Sequence, residues 1–331
     1  DLGIETVAIH GVDDADGLHV TRADRAVALP GRGARAYLDI AAVLDAARAS
    51  DCDAVHPGYG FLAENPAFAS AVEAAGMAWI GPTARQLALF GDKIAARTLA
   101  RECEVPVLEG SQAVTTRADV DRFVAGLGAG GIAVIKAAAG GGGRGMQVLW
   151  PDVDVAAALT HCADEAQAAF GDGTLYAERF VAAARHVEVQ VLGDGHGGVT
   201  HLWERDCSLQ RRHQKLIEIA PAPALPAALR ARLLDCACRM ARAVNYRGLG
   251  TFEFLVDVAA DACWFIEANP RLQVEHTVTE EVLGLDLVAL QFAVAGGRRL
   301  PGLGLPPPPP PPRRAAPPRR ARTRPPPAPR R

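Results

Sequence analysis

Aromatic residues are scarce, at 5% of the 331 residues, and methionine occurs three times. With 49% hydrophobic residues the chain still fills a large core, so that core is built mainly from Ala, Val, Leu and Ile. Long apolar runs are missing, and no segment reads as a transmembrane helix. Seven cysteines, Cys52, Cys103, Cys162, Cys207, Cys236, Cys238 and Cys263, form no CxxC pair, and their number is odd. That pattern argues against a zinc ribbon or a disulfide framework, and for free thiols in a reducing cytoplasm. Glu5, Asp13, Asp14 and Asp16 exclude a signal peptide at the start of this sequence. Acidic residues stop at Asp286. Residues 298–331 hold ten Arg and no acid, so the net charge of −3 divides into a body at −13 and a basic end.

The patterning predicts alternating strands and helices over residues 1–110. Thr6–His10, Ala54–His56 and Met77–Ile80 read as buried strands. Asn65 and Pro66 read as N-cap and first residue of a helix stopped by Gly76. Such alternation predicts a parallel, doubly wound sheet. A second unit follows, with a helix near Ala118–Leu127 and strands Ile132–Lys136, Met146–Trp150 and Leu175–Phe180. Between the last two strands, Asp154–Phe170 reads as a helix. In the third unit, His186–Leu192 alternates polar and apolar residues and predicts a half-buried strand. A helix at Pro226–Val244 and a hairpin over 250–269 complete it. Residues 301–331 hold 14 of the 24 prolines and predict a disordered or polyproline-like segment.

Chemistry concentrates in a few stretches. After strand Ile132–Lys136 comes Ala137-Ala-Ala-Gly-Gly-Gly-Gly-Arg-Gly145. Consecutive glycines let backbone N–H groups close on phosphate oxygens and let a loop act as a lid. Lys136 at the strand end can reach a phosphate. No Gly-Lys-Ser/Thr follows, so the loop is not a Walker A motif, and no helix starts on it. A flexible connector is the competing reading. In the 250–269 hairpin, a loop of about five residues sets Glu253 opposite Glu267. Phe252, Phe254, Val256, Trp264 and Ile266 then share the buried face. Opposed carboxylates repel, and a hard divalent cation such as Mg²⁺ between them removes the conflict. Asn269 faces the same way and is a further candidate ligand. Two solvated acids on an exposed sheet remain the alternative. Arg271 and Lys215 could hold a small anion, and Glu275 is a candidate base. The polar run Glu204–Lys215 reads as anion-lining, since it lacks the interleaved aromatics of a nucleic-acid patch.

Seven stretches, in order, resemble the biotin carboxylase domains of acyl-CoA and pyruvate carboxylases. They are His56–Asn65, Gly91-Asp-Lys93, Lys136 with its glycines, Arg185–Gln190, Glu204–Lys215, Gly250–Phe254 and Asn269–His276. The resemblance spans about residues 1–297, and so many motifs in sequence are far more specific than one glycine loop. It implies an ATP-grasp fold, of mixed α/β and α+β class. An N-terminal α/β domain (1–91) would precede an ATP-grasp domain (92–297) with a mobile lid at about 111–181. A Pro/Arg tail would occupy 298–331. The family also implies a strand and an Asn-Arg-Gly-Glu-type turn ahead of Asp1, and a third, β-rich subdomain after Gly297. Both are expected to be missing here, which raises the expectation of an inactive fragment with an artefactual tail.

By resemblance, Lys93, Lys136, Gly141, Gly142, Gly143 and Met146 would hold the ATP phosphates and lid. Glu178, Arg179, Phe180 and Val181 would meet adenine, and His186, Gln210, His213 and Leu255 would line the nucleotide site. Glu253, Glu267 and Asn269 would ligate Mg²⁺ or Mn²⁺. Lys215, Arg271, Gln273 and Val274 would hold bicarbonate, and Glu275 would be the base. Bicarbonate would attack the γ-phosphoryl group of ATP to give carboxyphosphate. The CO₂ it releases would carboxylate biotin at N1′ inside a closed lid. Implied partners are a biotin carboxyl carrier, a carboxyltransferase and a second copy of the chain, with neither nucleic acid nor membrane. Competing readings are another ATP-grasp ligase, of carbamoyl-phosphate or purine-pathway type, a non-catalytic nucleotide-binding remnant, and an interaction module built on the Arg/Pro end.

Overall fold

A computed structural model describes residues 2–139, 144–211 and 214–305. Four expected site residues, Gly141, Gly142, Gly143 and His213, lie outside these ranges, as do residues 306–331.

The first unit runs β1 (Val7–His10), α1 (Leu18–Arg22), β2 (Arg25–Ala28), α2 (Ile40–Ala49), β3 (Ala54–Val55), α3 (Pro66–Ala74), β4 (Ala78–Trp79) and α4 (Ala84–Gly91). Its helix starts follow from side-chain chemistry. Asn65 accepts from the Phe68 N–H ahead of Pro66, and Thr83 forms a capping box with Gln86. Leu29, Phe68, Val72, Trp79 and Leu87 fill the core. The expected parallel pairing is present, but not as one sheet. Among the described residues β1–β2 and β3–β4 form two separate parallel pairs.

Next come α5 (Lys93–Glu102) and a four-stranded unit: β5 (Gly110–Val114), α6 (Arg117–Gly126), β6 (Ala133–Ala137), β7 (Met146–Leu149), α7 (Val155–Phe170) and β8 (Leu175–Arg179). The sheet order is β5-β8-β6-β7, all antiparallel. Small residues let α7 lie close to the sheet, with Ala158, Cys162 and Ala166 against Ile135, Ala137 and Ala177. Asp154 caps the start of α7 and Gly171, at φ 77°, ends it.

The third unit holds β9 (Arg185–Asp194), β10 (Val199–Arg211), β11 (Gln214–Ile219), α8 (Ala227–Ala243), β12 (Arg247–Asp257), β13 (Ala262–Asn269), α9 (His276–Leu283) and α10 (Leu287–Ala295). Its antiparallel sheet has the order β11-β10-β9-β12-β13. One face is apolar: Val187, Val189, Val191, Phe252, Phe254 and Val256 pack with Leu229, Leu233 and Met240 of α8.

Three expectations change here. β9 is not half-exposed, because it lies mid-sheet and Glu188 (0% exposed) and Gln190 (1%) are buried on the polar face. The hairpin pairs Glu253 with Glu267 as expected, but a bulge follows: Phe254 pairs with Phe265, leaving Ile266 as the extra residue. The bulge reverses the parity of β13. Phe265 and Cys263 therefore enter the core, while Trp264 and Ile266 do not. Finally, residues 298–305, expected to be part of the tail, pack on the body. Residues Leu300–Gly302 form a 3₁₀ turn, and Leu300, Leu303 and Leu305 pack on Leu192, Leu287 and Leu290. Among the described residues no helix is long and apolar enough to cross a membrane.

Candidate active site

The polar face of the central sheet is built on one cross-strand row. Arg205 of β10 stands opposite Glu188 of β9, Glu188 opposite Glu253 of β12, and Glu253 opposite Glu267 of β13. Three carboxylates side by side would repel, and cations offset that repulsion. Arg205, fully buried, donates to Glu188 at 2.6 Å. Its other donors go to Gln190 (2.9 Å), Thr279 (2.8 Å), Gln273 (3.0 Å) and Thr251 (3.4 Å). Lys215 of β11 forms ion pairs with Glu188, with Glu253 at 3.1 Å and with Glu275 at 2.7 Å. His186 Nε2 lies 2.6 Å from Glu253, and its Nδ1 lies 2.8 Å from the Gln210 amide.

This crowding sets the protonation states. Burial alone would push the Lys215 ammonium toward neutrality, but the Glu253 and Glu188 carboxylates hold it charged, well above its ordinary range. Burial would likewise protonate Glu253, yet His186 and Lys215 hold it ionised, far below its ordinary value. Glu275 follows the same pattern: burial raises it, Lys215 outweighs burial, and the net shift is downward. His186 sits above its ordinary value because Glu253 outweighs the effect of burial.

The rest of the site faces this row. Lys93 opens α5 and lies 3.3 Å from Glu267. Lys136, one residue before the end of β6, pairs with Glu178 of β8, whose other oxygen takes Arg97. Arg271 lies 3.2 Å from the Asn269 carbonyl oxygen and 3.3 Å from Glu64. Lys93, Lys136, Glu178, Glu267, Asn269 and Arg271 line one cleft of about 560 Å³ together with Met146, Arg179, Phe180, Val181, Leu255, Gln273 and Val274. Every expected site residue among the described ones is on its wall. Two side chains differ in detail from expectation. Asn269 donates its amide N–H to Glu253 at 2.8 Å and accepts from Arg271 on its side-chain oxygen, so it does not present a bare ligand oxygen. The Glu178 carboxylate is taken up by Arg97 and Lys136.

A hard divalent cation needs a few carboxylate oxygens and leaves positions for phosphate and water. Glu253 and Glu267, directly opposed at the cleft wall with the Asn269 amide beside them, supply that donor set. A second trio, His186, Glu188 and Glu253, also brings its ligand atoms within 4.8 Å of one another.

Glu188, Arg205 and Arg97 were not among the expected site residues. Glu188 had a signal: it shares strand parity with His186 and Gln190. Arg205 lies in the polar run Glu204–Lys215 already singled out, whereas Arg97 had no signal, because a buried arginine is recognisable only with its partners in place.

The antiparallel sheet and four-stranded unit closing on one cleft define an ATP-grasp fold. Residues 92–303 match the family model for the carbamoyl-phosphate synthase L chain, ATP binding domain, and residues 1–87 match the biotin carboxylase N-terminal domain. The pyruvate carboxylase of Aspergillus niger is 46% identical over 310 residues, covering 92% of this chain and 26% of that protein. Among solved structures, a biotin carboxylase–beta-gamma-ATP complex from Campylobacter jejuni superposes with a TM-score of 0.87 at 41% identity, over 91% of this chain and 67% of that one. The biotin carboxylase domain dimer of Hydrogenobacter thermophilus 2-oxoglutarate carboxylase, in complex with MgADP, ADP and bicarbonate, gives 0.86 at 39% identity, over 90% and 66%. The chain belongs to the biotin carboxylase family. It spans about a quarter of the curated pyruvate carboxylases it matches.

Proposed function

We propose that the chain carries out the biotin carboxylase step of a biotin-dependent carboxylase: Mg·ATP and bicarbonate are used to carboxylate biotin. The observation that carries this reading is the meeting of Glu188, Glu253 and Glu275 on the Lys215 ammonium, in a cleft that Lys93 and Lys136 also enter. Such a site receives two anions, a polyphosphate and a small oxyanion, and places a carboxylate beside the second.

In this reading Lys136 and Lys93 meet the ATP phosphates. Arg179, Phe180 and Val181 meet the base, beside His186, Gln210 and Leu255. Glu253 and Glu267 would hold Mg²⁺ or Mn²⁺, with Asn269 after it releases Arg271. That ion supplies charge neutralisation for phosphoryl transfer. Arg271, Lys215, Gln273 and the backbone at Val274 hold bicarbonate. Glu275, held ionised by Lys215, accepts the bicarbonate proton. The freed oxygen attacks the γ-phosphorus of ATP, ADP leaves, and carboxyphosphate forms. Its breakdown gives CO₂ and phosphate, and the phosphate takes the biotin N1′ proton. Lys215 must shift from Glu275 toward the oxyanion, which restores basicity to Glu275 as the proton moves.

The partners of this reading are a biotin carboxyl carrier, a carboxyltransferase and a second copy of the chain. The compartment of this reading is the cytoplasm, a reducing environment in keeping with the free thiols. Incorporation of labelled bicarbonate into free biotin tests the proposal. Label on biotin only when ATP, Mg²⁺ and the chain are all present supports it. ATP-dependent label on an amine instead of biotin would transfer the assignment to a carbamoyl-phosphate type of ligase, which the family match over 92–303 keeps in view.

A further inference from the structure

Lys136 does not point at its expected ligand unattended: it is held by Glu178, and Glu178 is itself held by a second cation. Arg97 lies on α5 one turn beyond Lys93, so one helix serves both ends of the phosphate region. Its guanidinium is 2% exposed and pairs with one oxygen of Glu178, which is 1% exposed, while Lys136 takes the other oxygen. The remaining arm donates to the Leu108 carbonyl at 2.6 Å, and the group lies 5.7 Å from the Tyr176 ring centre. Space for it depends on Gly110, where a Cβ would stand 2.4 Å from Nη2.

We infer that Arg97 is a positioning residue for nucleotide binding: it keeps Glu178 charge-paired when Lys136 leaves that carboxylate for a phosphate of ATP. The inference rests on the reading that Lys136 meets ATP. The physical reason is the cost of an unpaired charge. A buried carboxylate with one cation holds that cation firmly, because releasing it strands a charge out of water. With Arg97 present, Glu178 has two cations, and Lys136 can change partner while Glu178 stays compensated. Removing Arg97 turns Glu178 from a guide into a trap. Removing the Glu178 charge as well opens the trap.

The test is the Kd of Mg·ATP for the 331-residue chain and its variants, by titration calorimetry. Arg97→Met weakens binding by about tenfold or more, which is about 1.4 kcal/mol. Adding Glu178→Gln to Arg97→Met recovers most of that loss, and Arg97→Lys, which keeps a cation, stays within about threefold of the parent. A purely structural arginine would lower the melting temperature and leave the Mg·ATP Kd of the folded chain unchanged. If Arg97→Met does not fold, Arg97→Gln serves instead, since it can still donate to Leu108 and loses only the charge. Equal binding by parent and charge-free variant, or weakening that Glu178→Gln does not relieve, overturns the inference and leaves the nucleotide reading intact. No binding by the parent chain overturns both.

Discussion

Arg205→Met strikes a residue that ties the carboxylate row to its surroundings. The guanidinium is fully buried and makes hydrogen bonds to five side chains, on β9, β12, α9 and the loop before α9. Truncating one partner of a buried ion pair costs about 3–5 kcal/mol. Glu188 would keep Lys215, so the lower end applies, at about 3 kcal/mol. Against a total stability of about 5–15 kcal/mol that is a large share. It corresponds to a fall in melting temperature of about 5 °C for a chain of this size. Arg205→Lys keeps the charge but reaches fewer acceptors, and should lose about half as much. Adding Glu188→Gln to Arg205→Met should restore part of the loss, because the penalty lies in the under-paired carboxylate. Thermal unfolding followed by far-ultraviolet circular dichroism measures all three. An Arg205→Met chain melting within about 2 °C of the parent would refute the reasoning.

Other consequences are separable. Glu253→Gln with Glu267→Gln should abolish Mg²⁺-dependent nucleotide binding, and calorimetry showing unchanged Mg²⁺ dependence would remove the metal assignment. Lys215→Met should cut ADP release at least 100-fold by leaving Glu275 without its partner and bicarbonate without its cation, which steady-state rates would reveal. Leu233→Ala, in the core beneath the sheet, should cost about 2–5 kcal/mol of stability while leaving the Mg·ATP Kd unchanged, as paired denaturation and binding curves would report. Asp206 gives a pH test. Burial raises its carboxyl, but Ser208 and Arg185 outweigh burial and hold it below the ordinary 3.8. Its stabilisation is therefore complete above that value and is lost as pH falls through the lowered one. Asp206→Asn should flatten that part of the acid-unfolding curve, and an unchanged curve would contradict it.

What could be read from the chain alone was chemistry carried by contiguous residues. Lys136 before its glycines, the Glu253–Glu267 hairpin and the Asn269–His276 run each announce a site through local spacing, and the structure brings them to one cleft. Features set by long-range packing were not legible. The alternation in β13 gave no hint of the bulge at Ile266 that exchanges Trp264 for Phe265 in the core, since a bulge inserts one residue without changing composition. The alternation in β9 gave a polar and an apolar face, and a strand pattern cannot show that the polar face is covered by Arg205 and Lys215. Arg97 lies 81 residues from Glu178, a separation at which no spacing rule applies.

The central claim is that this cleft couples ATP cleavage to bicarbonate and biotin. The measurement that tests it most directly is ADP release from Mg·ATP by the chain, with bicarbonate and free biotin each present or withheld. The account predicts release that requires bicarbonate and rises when biotin is added. Release indifferent to both, or no release under any of the four conditions, would contradict it.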